Sequence, residues 1–98
     1  MTQPTPNIQT QYVTVNGLPI YTRSLGPMAA PPDAPVFVLI HGLLIASRYM
    51  LPTAERLGKY YPVYLPDLPG FGGSADPTHI YSLQEQADAI VGWLDAMA

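Results

Sequence analysis

At 98 residues the chain has room for one domain and not for two, and with 48% apolar and 11% charged residues it is too apolar to be disordered beyond the polar start at 1–10. The net charge of −3, with no basic cluster, argues against nucleic acid and an anionic membrane surface as partners, and the absence of cysteine removes disulfides, thiolate metal sites and cysteine nucleophiles. No apolar run reaches the roughly 18 residues of a membrane span, and the first residues lack the basic start and apolar middle of a signal peptide, so a cytoplasmic location is expected.

The charged fraction is itself informative. Soluble domains carry about 25% charged residues, and a chain this far below that value is expected to have part of its surface meant for burial against something else.

From Gln11 to Leu25 the sequence predicts a β-hairpin. Tyr12-Val13-Thr14-Val15 are strand formers, Asn16-Gly17 is the strongest two-residue hairpin signal because both positions tolerate positive φ, and Leu18 to Leu25 returns. Pro19 cannot donate to a ladder, so its part of the second strand belongs at an edge or near the turn. Gly26-Pro27 and Pro31-Pro32-Asp33 then read as a loop.

Val36-Phe37-Val38-Leu39-Ile40 is a continuous apolar run, suited to a strand buried on both faces of a parallel sheet. His41-Gly42 ends it, and Ser47 is expected to cap the next helix. That helix should occupy part of Tyr49 to Leu57, with Pro52 in its first turn and Gly58 as its stop. Pro62 to Leu65 is a second short strand, and strand, helix, strand over this span predicts a parallel pair. The glycine- and proline-rich loop Asp67 to Ser74 follows, on the same rim as His41-Gly42, where open α/β sheets bind ligands.

The last element is a helix opened by the capping box Ser82-Leu83-Gln84-Glu85. Leu83, Ala87, Ile90, Val91, Leu94 and Met97 recur at helical spacing and predict one apolar stripe. Gly92 inside it costs about 1 kcal/mol relative to alanine.

The order hairpin, strand, His-Gly loop, helix, strand, Asp-x-Pro-Gly-Phe-Gly-x-Ser loop, helix strongly resembles the first portion of the α/β-hydrolase superfamily. The carrying motifs are Val38-Leu39-Ile40-His41-Gly42-Leu43 and Asp67-Leu68-Pro69-Gly70-Phe71-Gly72-Gly73-Ser74, and the resemblance covers Tyr12 to Ala98. It implies an α/β fold with part of the hydrolase sheet, an antiparallel hairpin followed by parallel strand-helix-strand-helix, over an incomplete domain at 11–98. It also implies that the backbone N–H of Leu43 belongs to the oxyanion hole. The Leu43 side chain, with Leu44, would shape the acyl pocket; the plain alternative is that both are core residues. His41 resembles a loop-bracing residue of the family rather than its base, with Gly42 allowing the tight turn and Asp67 accepting local backbone N–H groups.

The family's nucleophile sits in Gly-x-Ser-x-Gly at a strand-to-helix turn, followed by an acid and a histidine. This sequence has no such turn. Gly72-Gly73-Ser74-Ala75-Asp76 imitates it without the last glycine, and Pro77 follows where a helix should begin, so Ser74 reads as a loop serine and His79 as an exposed histidine. Gly70-x-Gly72-x-x-Ala75 likewise imitates a dinucleotide fingerprint but lacks the helix that must follow.

The resemblance therefore implies the N-terminal portion of a serine hydrolase acting on a small-molecule acyl substrate, with no cofactor and no metal, and with the rest of the fold as its partner. The alternatives are a non-enzymatic binding module, one half of a split protein, or a relative that cleaves epoxides, carbon–halogen or carbon–carbon bonds. In that family the strand carrying the nucleophile pairs beside the one at Val36 to Ile40, so its absence is expected to leave an open apolar edge and a poorly behaved monomer.

Overall fold

The computed structural model describes residues 7–27, 32–42 and 46–97. Strands β1 (Gln9–Val15), β2 (Leu18–Leu25), β3 (Phe37–Val38) and β4 (Val63–Pro66) form one mixed sheet in the order β1-β2-β4-β3, with helices α1 (Leu51–Leu57) and α2 (Leu83–Met97). This is the α/β class expected from the alternation of strands and helices.

The hairpin forms as predicted, two residues longer at its start. Asn16 and Gly17 take φ of 51° and 79°, the left-handed pair that a two-residue turn between twisted strands requires. Tyr12 stands opposite Tyr21 with their rings edge to face at 5.3 Å, a cross-strand aromatic pair that helps fix register. Pro19 lies near the turn opposite Thr14, and β2 pairs with β4 only from Thr22 onward, so its missing N–H interrupts no ladder bond.

The parallel pair is also present, Phe37 beside Val63 and Val38 beside Tyr64, and the N–H of Leu39 extends it to the carbonyl of Tyr64. The expectation of a strand buried on both faces is corrected. β3 covers two residues, both half-buried, and Val36 and Ile40 are exposed. The reason is position: among the described residues β3 is an edge strand, flanked by β4 on one side only.

Side chains alternate across the sheet into two apolar clusters. Val13, Val15 and Ile20 gather around Trp93 of α2, with Val38 and Tyr64 against them. Leu25, Val63 and Leu65 gather around Ala54 of α1, with Phe37 and Leu39 against them. The sheet is thus covered by α2 on one face and α1 on the other.

Two helix predictions need correction. Ser47 is not a cap; it opens a 3-10 turn at Ser47–Met50 whose N-cap is Ala46, and α1 then starts at Leu51 with Pro52 tolerated in its first turn and Gly58 as its C-cap. In α2 the capping box is as predicted: Ser82 Oγ accepts from the Glu85 N–H at 3.1 Å and Glu85 Oε1 accepts from the Ser82 N–H at 3.0 Å. The buried stripe, however, is Gln86, Ala89 and Trp93, whereas Leu83, Val91 and Leu94 are exposed. The helix has apolar residues on two faces, and the sheet takes the one that carries the indole. A Cβ at Gly92 would stand 2.6 Å from Val15 Cγ1, so the glycine lets α2 approach β1 closely. Trp93 Nε1 donates to Thr22 Oγ1 at 2.9 Å, tying α2 to β2.

Candidate active-site rim

The loops that follow β3 and β4 meet at the carboxyl end of the parallel pair, and His41 joins them. Its ring is buried; Nε2 accepts the Leu68 N–H at 2.9 Å, which leaves the proton on Nδ1, and Nδ1 donates to the Gly42 carbonyl at 2.7 Å. Phe71 closes over it edge to face at 5.7 Å. Both imidazole nitrogens are thus engaged by backbone groups of the two rim loops. Leu43 and Leu44 lie outside the described residues.

Asp67 is the second node. It is fully buried, Oδ1 accepting from the Ser47 N–H at 2.8 Å and Oδ2 from the Gly73 N–H at 2.9 Å, with the Arg23 guanidinium 3.5 Å from Oδ2. Burial works to raise its carboxyl, but hydrogen bonds from Ser47 and Gly73 and the charge of Arg23 outweigh that and hold it below its ordinary range. Arg23 also donates to Ser47 Oγ at 2.7 Å and lies over the Tyr21 ring. Asp67 therefore does accept a local N–H, as expected, and in addition ties β2 and the start of the 3-10 turn to the rim.

The glycines beside it serve this carboxylate rather than a phosphate. A Cβ on Gly72, which has φ of 54°, would fall on the Asp67 carboxylate, and one on Gly73 would meet the Tyr21 ring at 2.9 Å. Ser74 is buried, its hydroxyl donating to the Asp67 carbonyl and accepting the Tyr21 N–H at 2.8 Å. A hydroxyl so engaged is a loop strut, in line with its reading as a non-nucleophile.

His79 is exposed, as expected. Nε2 lies 2.6 Å from Glu85 Oε2 and Nδ1 lies 3.4 Å from Thr78 Oγ1, a row of hydroxyl, imidazole and carboxylate. That carboxylate is already committed to the helix cap, where the Ser82 N–H first and His79 second hold it below its usual range. The row belongs to the start of α2. Among the described residues no group of histidine, aspartate and glutamate side chains could hold a metal ion, and no helix is long and apolar enough to cross a membrane.

Sequence reasoning missed Arg23 and Gln86, and it gave Ser47 a cap role in place of its contacts with Asp67 and Arg23. Arg23 carried one weak signal, being one of only four lysine and arginine residues in the chain and placed inside a strand.

No protein-family model matches the chain. A pimeloyl-[acyl-carrier protein] methyl ester esterase from Xanthomonas campestris pv. campestris is 37% identical over 68 residues, which are 60% of this chain and 27% of that protein. Among solved structures, a bacterial membrane phospholipase A superposes with a TM-score of 0.82 at 29% identity, over 93% of this chain and 28% of its own. A haloalkane dehalogenase from Agrobacterium tumefaciens gives 0.77 at 26% identity, over 93% and 29%. The chain thus spans about a quarter of the length of the curated relatives it matches.

Proposed function

Because the chain belongs to the α/β-hydrolase superfamily, we propose that it is the N-terminal portion of a serine hydrolase that cleaves a small-molecule ester or related acyl compound through an acyl-enzyme. In this reading the chain carries the oxyanion-hole loop, with the Leu43 N–H as one donor, while nucleophile, acid and base come from the remainder of the fold. The chemistry needs no cofactor, and the expected cytoplasmic location is part of the same proposal.

The observation that carries it is the hold of His41 on the Gly42 carbonyl. In a trans peptide the carbonyl and the following N–H point to opposite sides, so a ring that fixes the first is the brace the second would need. A preorganised donor of this kind stabilises developing negative charge without reorganising during the reaction. The esterase relative and the phospholipase neighbour favour an ester over other bonds, and the open edge of β3 is where the remaining sheet would pair.

The test has two arms. The 98-residue chain, offered an activated ester and a serine-reactive phosphonate, should show neither turnover nor labelling; a stoichiometrically labelled serine would refute the reading. In the complete hydrolase, Leu43→Pro should lower kcat by about 10²- to 10³-fold, the usual loss for one oxyanion donor, with Leu43→Ala close to wild type. A folded proline variant with normal kcat would exclude Leu43.

A further inference from the structure

Apart from Arg23, which Asp67 engages, every lysine and arginine of the chain lies in the helical layer over one face of the sheet: Arg48 in the 3-10 turn, Arg56 in α1 and Lys59 just after it. All three are exposed, and among the described residues none makes an ion pair. Positions 48, 52, 56 and 59 follow one another at helical spacing, so the cations share the outward side. The exposed rings of Tyr49 and Tyr60 lie beside them, and the single carboxylate of this layer, Glu55, is half-buried.

Over the opposite face of the sheet, α2 carries the reverse. It has three carboxylates, Glu85, Asp88 and Asp95, and no lysine or arginine. Glu85 is taken up by the cap and His79. Asp88 and Asp95 are exposed and make no ion pair among the described residues, and Val91 and Leu94 stand exposed between them. The two aspartates are about 10.5 Å apart along the helix axis, and Arg48 and Arg56 about 12 Å. The sheet separates the two faces, so they cannot meet within one molecule.

We propose that the chain docks onto a second copy of itself head to tail, the outward face of α2 in one copy seated on the outward face of the 3-10 turn and α1 in the next. Asp88 and Asp95 then oppose the cations, while Val91 and Leu94 lie against Tyr49 and Tyr60. Charge decides the pairing. Two α2 faces would set carboxylates against each other and two α1 faces would do the same with cations, and like charges across an interface are strongly disfavoured. Apolar burial supplies the attraction, and the ion pairs fix register. Because the two faces differ, each added copy presents a free one, and the contact propagates as an open stack of layers. It involves the faces of the sheet and leaves the hydrogen-bonding edge of β3 untouched.

Sedimentation velocity on the full 98-residue chain reads this contact, with Val36→Lys in every sample to disfavour pairing at the β3 edge. Association should weaken at least tenfold between about 0.02 and 0.5 M sodium chloride, as screening shortens the reach of the charges. At low salt Arg56→Glu and Asp88→Arg, both at exposed positions, should each weaken it by roughly tenfold or more. An equimolar mixture of those two variants should associate again, because each retains the face that the other has lost. A chain that stays monomeric at low salt, association indifferent to salt or to either reversal, or a mixture no more associated than its components would each overturn the proposal.

Discussion

A carboxylate with no exposed surface is tolerable only if its charge is answered on every side, and Asp67 meets the N–H of Ser47 at one oxygen and Gly73 and Arg23 at the other. Its folded-state carboxyl lies below the ordinary 3.8. The stabilisation is therefore fully present above the unfolded value and is lost as pH falls through the lower folded one. Asp67→Asn keeps the volume, removes the charge and turns an acceptor into a donor that faces an N–H. It should cost about 2–3 kcal/mol at neutral pH, as hydrogen bonds to charged groups do, and the difference in urea midpoint from wild type should shrink in acid. A difference independent of pH would mean that charge is not its source. The turn role of Asp67 was legible because an aspartate before a glycine loop accepts local N–H groups. The partnership with Arg23 and Ser47 was not, because contacts made across the sheet leave no local or periodic trace.

At the scale of elements, the signals carried by short-range geometry could be read and those set by tertiary phase could not. Asn16-Gly17 and the Ser82–Glu85 box each specify one backbone conformation, and both formed. The stripe of α2 has the right period and the wrong phase. Leu83, Val91 and Leu94 outweigh Ala89 and Gln86 in hydrophobicity, but Trp93 buries more surface and takes its bond to Thr22 only on the other face. Gly92 tests that packing. Alanine there gains about 1 kcal/mol of helix propensity, yet its Cβ would press on Val15 Cγ1 at 2.6 Å, and overpacking of this kind costs 1–3 kcal/mol. Gly92→Ala should thus lower stability on balance in thermal melts, and in a Val15→Ala background the sign should reverse. At the helix start, the Glu85 carboxyl is held below its usual range by the Ser82 N–H and by His79, so the cap is present above the unfolded value and lost as pH falls through the folded one. Amide exchange in the first turn should accelerate in acid before the rest of α2 does; uniform acceleration along the helix would contradict a cap with its own titration.

For the molecule as a whole, the low charge anticipated from composition appears as two unguarded apolar surfaces. One is the outward face of α2 with Leu83, Val91 and Leu94; the other is the free edge of β3, flanked by exposed Val36 and Ile40. An edge strand without lysine, proline or a bulge is a template for another chain. The β4 ladder uses the N–H groups of Phe37 and Leu39, and since successive N–H groups of a strand point to opposite sides, that of Val38 belongs to the free edge. The chain is expected to self-associate with rising concentration, as a shift in sedimentation coefficient through the micromolar range. Val38→Pro removes the outward donor while leaving both β4 bonds in place, and Val36→Lys adds a charge beside the same edge. Both variants should sediment closer to a monomer than wild type. In the complete hydrolase proposed above the effect of Val38→Pro should invert, because there the next strand would need the donor that proline lacks, and activity and stability should fall together. Association unchanged in both edge variants would assign it instead to the α2 face, where Leu83→Glu and Leu94→Lys should then abolish it.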